Sequence, residues 1–469
     1  MRSLTFLALA ALGLTASALP AFAGTLLVPQ QFPTIQKALN AAKPYDTVLV
    51  SVNPKGAVYN EAVTIATPYV TLQGVGNPLI DGTGLGTPGP SPFQPGTYPN
   101  CIEIRASHVA VRGLTVQNAP GFEFQGGSGI NVGYVAADGQ TDVSFSDIEI
   151  SGVTARQNFF GITINGQSGL NAYPVVPSML KNYKLLGNVV TGSVNGGAAV
   201  VNTSGAVISG NQFTGNGYDG LNASGTGLTV IANEAASNAN AGLNVNAATY
   251  NPAVNSPKSP NPPASLVGTN TVHDNQHFGI SITGTVSVSG NAVTHNADEG
   301  ISLFSADYSA VVFNSVSGTT FYQYEFAGGD HDGTGIVVDG SPSYPNFTPS
   351  GFVTISSNSI TKSAGDGIFL ASVVSTTVSQ NSVLQNAGVG IHLSDYPVTQ
   401  QGQSAGNAPN TVTRNLAFSN TLFDARDDAS ASDVFTYPNG DTTPGDGAKT
   451  INLWTKNLFG TTDPVGLSK

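Results

Sequence analysis

Apolar and polar residues alternate with period two through most of the chain, as in Gly279-Ile280-Ser281-Ile282 and Thr285-Val286-Ser287-Val288-Ser289. Such alternation marks strands with one buried face. Outside the N-terminal segment a helical period occurs only within residues 33–43, where Ile35, Ala38, Leu39 and Ala42 line one side of a short amphipathic helix. A repeat punctuates the strands. Gly followed by Ile or Leu recurs at Gly129, Gly161, Gly220, Gly242, Gly279, Gly300, Gly335, Gly367 and Gly390, and Gly197 before Ala198 is a tenth copy. The shortest intervals are 22, 21 and 23 residues (220 to 242, 279 to 300, 367 to 390). An Asn stands nine residues before the Gly at Asn188, Asn211, Asn233, Asn270, Asn291, Asn358 and Asn381. Another stands four before it at Asn216, Asn238, Asn275, Asn296 and Asn386.

These columns predict an all-β, single-domain parallel β-solenoid, each coil stacked on the last at about 4.8 Å. A leucine-rich repeat has a similar period but needs a Leu framework. Here the inward positions are Ile, Val and Ala. The Asn columns are expected to be scaffold, with amides bonding from coil to coil. The helix in 33–43 is expected to cover the open N-terminal end. The expected layout is a leader at 1–23 and one β-helix domain at 24–469. Within it, 24–82 is cap and first coils, 100–423 repeat coils, and 424–469 an acidic loop and C-terminal cap.

A solenoid coil lengthens only at its turns, so insertions locate loops. The stretch from Gly to the next Asn is 12 to 14 residues in the shortest coils (279 to 291, 300 to 314). It grows to 27 after Gly161, 28 after Gly242, 23 after Gly335 and 25 after Gly390. These insertions carry Tyr173, Tyr250, Tyr344 and Tyr396, and all follow the same strand. On the other side, Asn314 to Gly335 is 21 residues instead of 9 and carries Tyr322, Tyr324 and Glu325. Loops rising on both sides of one strand face predict a groove along the axis. Tyr173, Tyr250, Tyr322, Tyr324 and Tyr344 are its candidate substrate-binding aromatics.

Composition fits this picture. Of 469 residues only 9% are charged, against the usual quarter or so. That excludes a helical bundle, whose solvent face needs Glu, Lys and Arg. The single Cys excludes a disulfide scaffold. The formal charge of −12 excludes electrostatic attraction to nucleic acid. At the N-terminus, Arg2, a short apolar run and Ala21-Phe22-Ala23 form a signal-peptide pattern, with cleavage expected after Ala23. The expectation is a secreted or periplasmic protein with no membrane insertion after cleavage.

The stretch FPTIQKALNAAKPYDTVLV, then Tyr59-Asn60-Glu61, VTLQGVG and Ile80-Asp81-Gly82, resembles the opening of pectin-lyase-like right-handed parallel β-helices. The internal unit is similar to the β-helix repeat of NosD-type proteins and alginate C5-epimerases. The ending INLWTKNLFGTTDPVGL resembles the closing segment of many such proteins. The resemblance implies a right-handed parallel β-helix over nearly the whole mature chain. It does not fix an activity, because the superfamily includes lyases, hydrolases, esterases, epimerases and non-catalytic proteins. Against the epimerase motif, only Asp339 falls where that family has a catalytic carboxylate. The Asn-Thr-Asp and Gly-Asp-Asp signatures of polygalacturonases are absent.

Three groups of residues carry candidate chemistry. Asp330, His331 and Asp332 lie in a Gly-rich segment, with Asp339 beyond it, and Glu299, Asp366 and His392 occupy related positions in neighbouring coils. Acid–base chemistry needs such clustered carboxylates and His, although a solvated turn has the same composition. His277 with Asp298, and Asp274 with His295, share offsets in adjacent coils. They form either two His–Asp contacts, a candidate divalent-metal site, or ordinary surface pairs. Asp424, Asp427, Asp428, Asp433, Asp441 and Asp446 form an acidic stretch, expected as a hydrated loop or a Ca2+ site. No cofactor is firmly implied, and Ca2+ is the candidate.

The functional expectation is a protein that binds or acts on a polysaccharide in the axial groove as a lyase, C5-epimerase or hydrolase. His331, Asp332 and Asp339 are the leading acid–base candidates, with Glu299, Asp366 and His392 beside them. The alternatives are a non-catalytic glycan-binding surface module and a NosD-like periplasmic accessory protein.

Overall fold

The computed structural model describes residues 23–52, 56, 58–87, 98–122, 125–135, 142–143, 145–164, 180–248, 265–322, 332–340, 350–371, 373–394, 410–428, 435–436, 442–443 and 452–463. Their strands stack into three parallel sheets that share one axis. The first runs from Thr25–Val28 to Leu453–Thr455, the second from Leu79–Asp81 to Leu458–Phe459, and the third from Val63–Ile65 to Thr462–Asp463. They hold fifteen, thirteen and fifteen strands among the described residues. Alternate side chains point inward, and the buried ones form a single core from Val28 to Trp454.

The Gly-Ile column is the register of the third sheet. Ile130, Ile162, Ala198, Leu221, Leu243, Ile280, Ile301, Ile336, Ile368 and Ile391 oppose one another in successive coils. The preceding glycine is required by space. At Gly220 a Cβ would lie 2.6 Å from Asn238 Nδ2, and at Gly279 it would lie 2.5 Å from the Gly300 carbonyl oxygen.

The Asn columns are ladders inside the two turns that flank the second sheet. Between the first and second sheets, Asn188, Asn211, Asn233, Asn270, Asn291, Asn314, Asn358, Asn381, Asn415 and Asn457 follow one another. All except Asn457, 8% exposed, are almost fully buried. Each Nδ2 donates to the Oδ1 of the next at 2.9–3.1 Å. The second ladder links Asn216, Asn238, Asn275 and Asn296, gives way to Thr319 and Ser363, and resumes at Asn386 and Asn420. These amides satisfy turn N–H and C=O groups that bend away from the sheets, groups costly to bury unpaired.

The cap is a helix over Ile35–Ala41 that buries Ile35, Ala38 and Leu39. Thr34 Oγ1 accepts from Lys37 N, and the Glu61 carboxylate accepts from Ile35 N and Gln36 N, which satisfies the first turn. The helix is shorter than the 33–43 expected. Ala42 has already left helical geometry, two residues ahead of Pro44.

At the other end, Ala425–Asp427, Leu453–Thr455, Leu458–Phe459 and Thr462–Asp463 continue the three sheets. The acidic stretch is therefore no hydrated loop where it is described. Asp424, Asp427 and Asp428 are 2%, 0% and 0% exposed. Asp424 occupies the glycine position and accepts from Asn420 Nδ2 at 2.9 Å, ending the second ladder. Asp427 accepts from the Trp454 indole at 2.9 Å. Asp433, Asp441 and Asp446 lie outside the described residues.

Because Asn291 fills all four amide bonding positions, Asn291→Ala is expected to lower stability by about 2–4 kcal/mol. Urea denaturation checks this, and a loss under about 0.5 kcal/mol would contradict a structural ladder.

Candidate functional site

The outer faces of the three sheets differ in chemistry. From Val286 onward, outward positions of the first and second sheets are Ser, Thr, Ala, Val, Leu and Phe. The third sheet and its turn edge carry Asp298, Glu299, Asp339, Asp366, His392, Arg426 and Asp428. In the sequence the long insertions are attached to strands of this sheet. They follow strands Phe160–Ile164, Leu243–Ala247, Thr334–Asp339 and Ile391–Ser394, and one precedes Thr334–Asp339. Tyr173, Tyr250, Tyr324, Tyr344 and His331 lie outside the described residues, whereas Tyr322 is described.

The accessible acid–base group lies at the edge of this sheet. Tyr218, Asn240, His277 and Asp298 each stand two residues before the glycine of their coil, so the stacking places them in one row. His277 Nε2 lies 2.7 Å from Asp298 Oδ2, and the two side chains are 23% and 16% exposed. Its Nδ1 lies 2.8 Å from Asn240 Oδ1. The amide orientation is fixed, because Asn240 Nδ2 donates to Asp219 Oδ1 at 2.7 Å and a carboxylate only accepts. Nδ1 must therefore be the protonated donor to Asn240. Nε2 and Asp298 then share the exchangeable proton. Tyr322 covers one side of His277, ring centroids 4.5 Å apart, and Phe278 lies 3.8 Å away. Asp219 also accepts from Ala241 N and Asn244 Nδ2. Burial raises its pKa more than these bonds and the His277 charge lower it.

A second group is sealed. Asp366 Oδ2 lies 2.8 Å from His392 Nδ1, and Asp428 Oδ2 lies 3.1 Å from Nε2. Arg426 Nε donates to Asp428 Oδ1 at 2.5 Å, and its Nη1 lies 3.1 Å from Asp463. His392, Asp366, Asp428 and Arg426 are at most 1% exposed. Burial alone would lower the His392 pKa, but the charge of Asp428 and the bonds to both carboxylates outweigh it and raise the pKa to about 9. Burial would raise Asp428, and His392 and Arg426 pull it below the carboxylate range. The group ties four successive coils together, so Asp366 and His392 are placed in the scaffold.

The remaining expectations divide. Asp332 and Asp339 stand two residues before and at the end of strand Thr334–Asp339. At about 3.3 Å per residue, the ends of that strand are about 16 Å apart, so these carboxylates form no acid–base pair. Asp332 Oδ1 instead accepts from Tyr322 N at 2.9 Å, steadying the tyrosine over His277. Glu299 is fully buried. The metal quartet is split. Asp274 and His295 occupy left-handed turn positions, φ 55° and 53°, on the far side of the Asn275–Asn296 ladder from His277 and Asp298. Asp274 pairs with His273 at 2.7 Å. Among the described residues no three His, Cys, Asp or Glu side chains converge as a metal-holding group. Asp219, Asn240 and Tyr218 escaped the sequence reading, although their offsets from the repeat glycine match those of Glu299 and His277.

The sealed group yields a pH prediction. A raised His pKa stabilises fully below the unfolded value, near 6.5, and that contribution is lost as pH rises through about 9. Thermal melts should therefore fall between those limits, and His392→Gln should flatten the fall. An unchanged slope in His392→Gln would contradict the assignment.

Three solved structures align over most of the chain. A mannuronan C-5 epimerase A-module from Azotobacter vinelandii is 15% identical, with 81% of this chain and 93% of that one covered and a TM-score of 0.47. The catalytic unit of an α-1,3-glucanase from Streptomyces thermodiastaticus is 15% identical, covering 96% and 71% with a TM-score of 0.46. An exopolygalacturonase from Yersinia enterocolitica is 12% identical, covering 86% and 78% with a TM-score of 0.43. No curated protein matches the sequence. The family model for the right handed beta helix region matches residues 99–316 and 261–399, together more than half of the chain. With three parallel sheets and a continuous repeat register, the chain belongs to the right-handed β-helix family.

Proposed function

We propose that this is an exported protein that acts on a polysaccharide lying along the outer face of the third sheet, with His277 and Asp298 as its proton-transfer pair. The observation that carries the reading is the 2.7 Å His277–Asp298 contact, partly open to solvent and with Nδ1 committed to Asn240. A His whose tautomer is fixed and whose other nitrogen shares a proton with a carboxylate is equipped for general acid–base work. Glycan chemistry needs that service at a leaving oxygen or at a ring carbon. Tyr322 beside the pair and Tyr218 two coils away, 43% exposed, offer aromatic surfaces suited to the apolar faces of sugars.

Export rests on the leader pattern and on one contact. Gly24 N lies 2.7 Å from Asp46 Oδ1. Cleavage after Ala23 would turn that hydrogen bond into an ammonium–carboxylate pair. N-terminal sequencing of the exported protein should begin at Gly24, and a start more than a few residues away would remove this support.

For the activity, neutral and acidic polysaccharides are incubated with the protein. Products are followed by reducing ends, unsaturated uronates and solvent-deuterium incorporation. His277→Gln should lower turnover at least about 100-fold while leaving binding within about twofold. EDTA should leave the wild-type rate unchanged. Binding without product on every polymer would favour the glycan-binding module, and full activity in His277→Gln would remove the pair from the chemistry.

A further inference from the structure

We infer that the glycan this face takes is neutral, a polymer of uncharged hexoses and not a polyuronate, and that it extends from His277 toward the N-terminal coils. This deepens the function proposed above and rests on it. Two in-register rows of side chains point outward from the third sheet on that side. One is Asn131, Thr163, Ala199, Asn222, Asn244 and Ser281. The other is Ser224, Asn246 and Thr283. All are part-exposed, and all but Ala199 present an amide or hydroxyl. They repeat at the coil spacing of about 4.8 Å, comparable to one sugar unit of an extended chain. Beyond His277 the same row turns inaccessible, as Ser302, Val337, Phe369 and His392 are all fully buried. The open track therefore runs one way.

Among the described residues neither of these two rows contains a Lys or Arg. In register with the track, Arg105 at its N-terminal end is held at 3.0 Å by Glu103, and Arg426 at the other end is buried against Asp428 and Asp463. Lys181 pairs with Ser204, at the corner leading into the first sheet. The insertions attached in sequence to strands of this sheet carry little positive charge: residues 165–179 and 323–331 contain no Lys or Arg, and 249–264 contain Lys258 alone. Asp219 and Asp298 flank the track, and the whole chain carries −12. A polyuronate would bring one carboxylate per sugar to an acidic edge whose exposed Arg in register, Arg105, is already paired with Glu103, which opposes both encounter and binding. Amides and hydroxyls are matched to hexose hydroxyls. For such a substrate, lyase and C5-epimerase chemistry is also ruled out, because no adjacent carboxylate acidifies the C5 proton. The reaction left is hydrolysis. The glycosidic C–O bond breaks, water oxygen joins the anomeric carbon, one water proton goes to the base and a proton is delivered to the leaving oxygen.

Calorimetry with the full mature chain tests this, using gluco- and manno-hexasaccharides against hexagalacturonate and hexaguluronate at about 20 mM and about 200 mM salt. At least one neutral hexasaccharide should bind, with little salt dependence, and neither uronate should bind. Asn222→Ala should weaken the neutral ligand about fivefold, the loss of one hydrogen-bonding amide. Asn222→Arg should gain salt-sensitive uronate binding. Far-UV circular dichroism of both variants should match wild type. Uronates binding wild type as tightly as neutral sugars would overturn the inference and leave the acid–base pair standing if His277→Gln abolishes product. Neutral binding unchanged in both Asn222 variants would place the ligand elsewhere and overturn it. No binding by either class would overturn both.

Discussion

The structure depends on a constraint at its corners. Each coil must turn between sheets, and each turn leaves backbone N–H and C=O groups that no strand partner can reach. The buried Asn ladders meet that need. An amide has two donor hydrogens and an accepting oxygen, so one side chain can bond both the coil before and the coil after. Asn291 donates to Val267 O and accepts from Asn270 in the coil before, and donates to Asn314 in the coil after. A carboxylate has no donor to pass on, so Asp424, at the glycine position of its coil, ends the second ladder by accepting from Asn420. Repetition of this bond fixes the register of every strand between the ladders.

Register then decides where chemistry can exist. Inward positions are committed to the core, ladder positions to the turns, and glycine positions to the space beside the second ladder. Only outward positions and the turn edges are free to vary. His277, Asp298, Asn240 and Tyr218 form a row because the stack aligns equal offsets. The His277–Asp298 pair that we propose for proton transfer uses the scaffold's precision, and Asp219, two coils away from His277, orients it through Asn240. The second ladder is interrupted at Thr319 and Ser363, both buried.

The sequence shows the fold because a solenoid writes its geometry as a linear period. Gly279 and Gly300 are 21 residues apart in the chain and neighbours in the third sheet. The site was less legible. His277 with Asp298 could be paired from their common offset. The same logic failed for Asp274 and His295, because Asp274 bonds its chain neighbour His273 instead. Burial was hidden too. Asp366 and His392 look identical in sequence whether they line a groove or lock a core. The locking partners Asp428 and Arg426 come from the next coil, across an insertion that breaks the period. Asp332 and Asp339 are close in sequence but lie at opposite ends of an extended strand, a separation that proximity along the chain conceals.

We propose that this protein meets its ligand on the outer face of the third sheet, beside His277. The chain has six His. His108 stands near the N-terminal end of the stack, His277 in its middle and His392 near its C-terminal end. Nitrogen-15 NMR of the imidazoles, with a neutral hexasaccharide titrated in, reads all three at once. Free His277 should be protonated at Nδ1, and its Nε2 resonance should shift on ligand addition while those of His108 and His392 stay fixed. A ligand that shifts His108 or His392 and leaves His277 unmoved would contradict it.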